Sequence, residues 1–242
     1  MQLDPPRPRI ARRSLIVGML FVANIAVGWV GLRLVNIPMF LCIRRTTTFF
    51  TMIVQFLILR QVPSMPVFVA VLIIVVGTLT AGFSDMGDEY VGYVFTLGNN
   101  ILTAAYLVVS KRFSDSTDTK GFGLVYYTSI TALPLSLALA AFQGEYQNFY
   151  EFEHATNPLF LASLLAASSL GVGMTYVVFL SATMNSPLLT SVTGNMKDVV
   201  STVLGAYIFG DFVPTTMKVL GIAISFMGGA VFAGANLRER AL

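Results

Sequence analysis

Long apolar runs separated by short polar interruptions recur along the whole chain. Eight can be drawn, at residues 14–35, 37–59, 65–83, 90–111, 122–142, 158–182, 187–209 and 215–236. Each approaches or exceeds the roughly 20 residues that a helix needs to cross a hydrocarbon core. Continuous runs of this length, rather than alternating segments of about ten residues, predict helices and not barrel strands, because every backbone amide in lipid needs an internal partner. The expected fold is therefore an all-α integral membrane protein of about eight transmembrane helices. The first run is too long for a secretory signal and lacks its small-residue cleavage pattern, so it reads as a retained span.

One run departs from the pattern. Residues 187–209 carry Thr190, Ser191, Thr193, Gly194, Asn195, Lys197 and Asp198 inside a segment that otherwise spans. At 1.5 Å per residue the run covers roughly 35 Å, which puts Lys197 about 15 Å deep, near the midplane. A lysine there costs at least ~2.5 kcal/mol, so it faces a partner or a wet cavity. A functional site is the expectation, with a structural lysine–aspartate pair as the alternative. Sequence neighbours on a helix point in different directions, which disfavours a direct Lys197–Asp198 contact and favours a bridge from Arg44 or Arg45 to Asp198.

Composition agrees with the pattern. The 242 residues are 55% hydrophobic and only 11% charged, with a mean hydropathy of +0.76, which excludes an ordinary soluble domain. A single cysteine, Cys42, leaves no internal disulfide, and one histidine, His154, with no ligand-spaced cluster argues against a metal site. Nothing in the chain calls for a cofactor.

The net charge of +3 comes from short basic clusters between apolar runs, which read as topology signals rather than a nucleic-acid surface. If the spans alternate, Arg7 to Arg13, Arg60, Lys111, Arg112, Lys120, Arg238 and Arg240 share one side. Asp85, Asp88, Glu89, Glu145, Glu151, Glu153 and Asp211 share the other, where Arg33 is the clear loop cation. Both termini are then expected in the cytosol. The organisation that follows is an extended basic segment at 1–13, a transmembrane domain at 14–236 with halves at 14–112 and 121–236, and a cytosolic tail at 237–242.

The halves echo each other. Asn36-Ile37-Pro38 matches Asn185-Ser186-Pro187, and Pro63 precedes Gly77 by the same interval that separates Pro214 from Gly228. The two copies start on opposite sides of the membrane, so the repeat is inverted, the arrangement that places a transport site at the midplane. The ladder Gly221, Ser225, Gly229, Ala233 predicts close helix packing or a homodimer face.

Four stretches carry a family resemblance: Asn36-Ile37-Pro38-Met39-Phe40 with Ile43-Arg44-Arg45; Gly92-Tyr93 with Asn99-Asn100-Ile101-Leu102-Thr103 and Lys111-Arg112; Tyr126-Tyr127-Thr128-Ser129; and Gly194-Asn195-Met196-Lys197. Together they resemble the nucleotide-sugar transporters of the drug/metabolite transporter superfamily, most closely the branch for UDP-sugars and GDP-mannose. The resemblance implies an inverted-repeat bundle of five plus five helices, truncated at its N-terminus so that this chain begins just before the third. It implies exchange of a cytosolic nucleotide sugar for a luminal nucleoside monophosphate across a Golgi or endoplasmic reticulum membrane, with no bond made or broken.

The same resemblance, with the chemistry of the residues, nominates a site. Arg44, Arg45 and Lys197 suit phosphate oxygens. Gly194, Asn195 and Lys197 are implied at the sugar or phosphate, with helix packing as the alternative for Gly194. Tyr126, Tyr127, Thr128 and Ser129 are implied at the base, although Thr128 and Ser129 stand where the family carries amides. Asn99, Thr103 and Tyr106 line one helical face, either along the pathway or bonded to a neighbouring helix. Asp198 is a gating or structural partner. The alternatives are a sugar-phosphate or other metabolite exporter, and a non-transporting regulatory membrane protein. A membrane enzyme has the least support, because no nucleophile–base pair appears.

Overall fold

Nearly every apolar run becomes a helix. The computed structural model describes residues 8–35, 37–83, 90–119, 121–145, 151–152, 156–209 and 215–241, and no strand occurs among them. Its helices are α1 (Pro8–Leu34), α2 (Ile37–Arg44), α3 (Thr47–Leu59), α4 (Met65–Phe83), α5 (Tyr90–Thr117), α6 (Phe122–Phe142), α7 (Pro158–Met184), α8 (Pro187–Phe209) and α9 (Thr216–Ala241). Arg7, Asn36, Asp85, Asp88, Glu89, Lys120, Glu153, His154, Asp211 and Pro214 lie outside the described residues.

Seven segments among the described residues are long and apolar enough to cross a membrane: 13–34, 39–59, 65–82, 90–117, 122–142, 158–184 and 219–238. The remaining run is α8, long enough at 23 residues but made more polar by Asn195, Lys197 and Asp198.

Two boundaries differ from expectation for local reasons. The basic stretch expected to be extended is helical from Pro8 onward. A proline suits a helix start, where its missing N–H has no helical partner to lose. Helix α7 begins where the sequence indicated, at Pro158, with the Asn157 side chain accepting from the Leu159 N–H at 2.9 Å as an N-cap.

The larger departure is in the second run, which is not one helix. It breaks at Arg45–Thr46 between α2 and α3. There the Arg45 and Thr46 N–H groups bond three residues back, to Cys42 O at 3.2 Å and Ile43 O at 3.0 Å. Threonine hydroxyls compete for the same carbonyls, since Thr46 Oγ1 donates to Ile43 O at 2.8 Å and Thr47 Oγ1 donates to Arg44 O. Two asparagines from other helices complete the break. Asn100 Nδ2 on α5 donates to Ile43 O (2.8 Å) and Thr46 Oγ1 (2.9 Å). Asn195 Nδ2 on α8 donates to Arg45 O (2.8 Å) and Thr48 Oγ1 (2.7 Å). Irregular backbone is tolerated at membrane depth only with such partners or beside a wet cavity.

Two apolar clusters flank this polar centre. One joins α1, α5, α6 and α7 through Val17, Tyr106, Phe113, Leu124, Tyr127 and Phe179. The other joins α3, α4, α8 and α9 through Met52, Val71, Ile74, Leu188, Val192 and Phe232. Each cluster therefore draws helices from both sequence halves.

The α4–α9 pair displays the internal symmetry directly. Gly77 approaches Ser225 N and Gly221 O so closely that an added Cβ would lie 2.5 and 2.7 Å from them. Gly228 approaches Ile74 N and Ala70 O, where a Cβ would lie at 2.9 and 3.1 Å. The second set is the first with the halves exchanged, and rising numbers on α4 meet falling numbers on α9. The helices are antiparallel about a local two-fold, as an inverted repeat requires. Gly221 and Ser225, expected on a packing or dimer face, are thus packed inside the chain against α4.

Candidate functional site

A cavity of about 310 Å³ opens where α1, the α2–α3 break, α5, α7 and α8 converge. Its wall mixes apolar side chains, Phe21, Leu107, Met174 and Val178, with many polar ones: Asn24 from α1, Arg44 and Thr47 from either side of the break, Thr103 and Tyr106 from α5, Thr175 from α7, and Ser191, Asn195, Lys197 and Asp198 from α8, where Gly194 also lines it. The break puts this set together.

The two arginines separate. Arg44 lines the cavity and is exposed, whereas Arg45 is 2% exposed behind it. Arg45 Nε and Nη1 are buried without a hydrogen-bond partner, a costly state for a guanidinium.

Lys197 and Asp198 do pair, which corrects the expectation from helical geometry. Lys197 Nζ stands 3.4 Å from Asp198 Oδ1, with the lysine side chain 54% and the aspartate side chain 12% exposed. The lysine stem is long and flexible enough to bend back over the adjacent residue, so the angle between neighbouring Cβ atoms does not decide the contact. Gly194 shows open space where a Cβ would be, facing the cavity rather than a packed helix. Asn195 lines the wall while its amide N–H group is spent on the break.

Other nominated residues lie elsewhere. Asn99 is buried between α5 and α1, where Nδ2 donates to Asn24 O (2.7 Å) and Asn24 Oδ1 (2.8 Å). It is absent from the cavity wall, and its neighbour Thr103 bridges the two settings by donating to Asn24 Oδ1 at 2.7 Å. The 126–129 stretch on α6 is also off the cavity. Tyr127 is buried against Phe113 with ring centroids 6.4 Å apart, and Thr128 is buried with Oγ1 unpartnered. Tyr126 and Ser129 are exposed on the outer side. A helix turns about 100° per residue, so four consecutive residues cannot all face one cavity.

Sequence reasoning passed over Asn24, Thr47 and Thr175 as wall residues. Asn24 had a signal, being an amide inside the first apolar run. Threonines and serines are common in membrane helices as backbone-bonding groups, and nothing in the sequence separated these from the others.

The profile of the triose-phosphate transporter family matches residues 6–233. The chain belongs to that family. Similar proteins within reach include a UDP-N-acetylglucosamine transporter of Arabidopsis thaliana, 30% identical over 91% of this chain and 64% of its own length. A UDP-sugar transporter of Drosophila melanogaster is 29% identical over 92% of this chain and 60% of its own. A nucleotide sugar transporter of Mus musculus is 31% identical over 92% of this chain and 68% of its own. The chain thus spans about three fifths to two thirds of the length of these relatives.

Membership of the triose-phosphate transporter family suits what the cavity can do. It presents one guanidinium and one ammonium from different helices, with hydroxyls and amides between them. Such a set has the chemistry to hydrogen-bond phosphate oxygens and hydroxylated groups, and the described residues hold no group of three or more histidine, cysteine or acidic side chains that could bind a metal.

Proposed function

We propose that this chain carries a nucleotide sugar through the central cavity, exchanging a UDP-linked sugar, or GDP-mannose, for the corresponding nucleoside monophosphate by alternating access in a Golgi or endoplasmic reticulum membrane. The observation that carries the reading is the meeting of Arg44 and Lys197 on one cavity wall, from the two repeat-related helices, beside the open face at Gly194. Cations are expensive at that depth, and phosphate groups supply the compensating charge. The relatives named as UDP-sugar and nucleotide-sugar transporters support the cargo class. The break at Arg45–Thr46 supports a moving element, because discontinuous helices at the repeat interface are where transporters rearrange.

Purified protein in liposomes preloaded with UMP or GMP tests this reading. Labelled nucleotide sugar should enter only when the matching monophosphate is inside, and Lys197→Ala should abolish entry while the protein still purifies as a single species. Uptake indifferent to the preload would remove the exchange mechanism, and full uptake by Lys197→Ala would remove the site.

One observation favours a second reading, a phosphorylated sugar as cargo. The aromatic and hydroxyl residues expected at the base lie off the cavity, while two of the three cations expected at the phosphates, Arg44 and Lys197, stand on it. Under that reading sugar phosphates compete for uptake and nucleoside monophosphates do not.

A further inference from the structure

A second cavity, of about 420 Å³, lies between α1 and α6 and shares no residue with the central one. The two helices touch closely through their N-terminal halves and part toward their C-terminal ends. Val17 packs with Leu124 and Tyr127, Thr131 Oγ1 donates to Ser14 O at 3.2 Å, and Gly18 stands so close to Thr131 that no Cβ would fit between them. Pro134 follows within α6, where its missing N–H removes one helical bond. Beyond it a groove opens, walled by Val22, Ala26 and Val30 on α1 and by Ser136, Leu139 and Ala140 on α6. Trp29, Arg33, Gln143 and Glu145 form its rim. From Val22 to Arg33 the groove runs roughly 16 Å at 1.5 Å per residue, about half the depth of a hydrocarbon core, so it spans one leaflet with its rim at the interface.

We infer that this groove holds one phospholipid of the bilayer, and that its rim selects a zwitterionic head with a primary ammonium, phosphatidylethanolamine. An apolar trough alone would take any acyl chain, so the rim carries the argument. It sets one cation and one carboxylate at the ends of neighbouring helices, both exposed and, among the described residues, neither in an ion pair. The lipid phosphate complements Arg33, and the ammonium brings N–H donors to the carboxylate of Glu145. Arg33 stands over the Trp29 ring, 5.6 Å from its centroid, so the ring face turned to the guanidinium is already taken by a cation. A choline head has no N–H for Glu145 and loses that ring face as well. A glycerol head offers Glu145 no positive charge and leaves the phosphate uncompensated beside it. The site is independent of the cargo, because none of its residues lines the central cavity.

The test is native mass spectrometry of the full chain in detergent, titrated with phosphatidylethanolamine, phosphatidylcholine and phosphatidylglycerol of identical acyl chains. The parent should retain one phosphatidylethanolamine about fivefold more tightly than either of the others, the size expected of one exposed charge-assisted contact. Arg33→Gln should weaken all three, since each has the phosphate. Glu145→Gln should erase only the preference for phosphatidylethanolamine, and Ala26→Trp, which fills the trough, should abolish retention of every lipid in a protein that still runs as a single species. Equal retention of the three by the parent overturns the inference and marks the lipid as part of the general annulus. Tightest retention of phosphatidylglycerol overturns it too, leaving Arg33 as a plain interfacial anchor, as does a phosphatidylethanolamine preference that survives Glu145→Gln. Should Ala26→Trp fail to fold, the parent ranking and Glu145→Gln decide, because the first needs no variant and the second changes an exposed side chain.

Discussion

Two antiparallel helix crossings, α4 with α9 and α3 with α8, are related by the same inverted repeat and are built in opposite ways. The α4–α9 crossing is closed by glycines, with Gly77 and Gly228 pressed onto backbone atoms of the facing helix and Ser225 Oγ donating to Ile74 O at 3.3 Å. The α3–α8 crossing is closed by side-chain polar groups: Thr48 Oγ1 and Ser191 Oγ are 3.2 Å apart, and Asn195 reaches across to Arg45 O and Thr48 Oγ1. Helices in lipid gain little from hydrophobic association, so shape and hydrogen bonding decide how they hold together. Backbone against backbone leaves one arrangement. Hydroxyls and an amide can exchange partners with each other, with water or with a ligand, so the second crossing suits movement and the first suits an anchor.

The strongest way to break the comparison is to fill the anchor. A leucine at Gly77 or Gly221 would begin with a Cβ 2.5 Å from the backbone nitrogen of Ser225 or Ala81, where no flexible group can give way. Overpacking of ordinary cores costs about 1–3 kcal/mol, and against backbone the loss should be about 3 kcal/mol or more. Gly77→Leu and Gly221→Leu should lose the single species in size-exclusion chromatography. Gly194→Ala, with open space around its Cβ, should keep it.

The movable crossing should fail more gently. Asn195→Leu strips the side-chain donor from Arg45 O and Thr48 Oγ1, a buried loss of about 1–3 kcal/mol. The expected result is a folded protein with a lower melting temperature and a lower exchange rate. An exchange rate equal to the parent's would show that the break is held without this asparagine. Thr48→Val comes next, removing the hydroxyl that pairs with Ser191 and accepts from Asn195, while Asn195 keeps its bond to Arg45 O, for about 1 kcal/mol. Its melting temperature should fall less than that of Asn195→Leu in the same scan.

How far the sequence foretold these regions depends on which property carries each. The spans were legible because lipid demands unbroken apolar runs, and the repeat was legible in Pro63 with Gly77 and Pro214 with Gly228. Lys197 was legible as an intramembrane cation, and it does stand on a cavity wall. The break at Arg45–Thr46 was not, because it is enforced by Asn100 and Asn195 from distant parts of the chain. The Lys197–Asp198 contact was missed because helical angle was applied to Cβ directions while the charge sits at the end of a long stem.

The smallest expected effect separates the wall from what supports it. Asn99 and Asn195 are both buried asparagines whose amides donate to a neighbouring helix, and only Asn195 also lines the cavity. Asn99→Leu removes bonds from α5 to the backbone and side chain of Asn24, which should cost about 1 kcal/mol of stability. Ligand affinity should stay within about twofold of the parent, because the side chain never reaches the ligand space. Tyr126→Ala, exposed on α6, should leave both affinity and melting temperature close to the parent's. A tenfold loss of affinity in Tyr126→Ala would return the 126–129 stretch to the binding site and would mean that the cavity described by the α2–α3 break and α8 is only part of it.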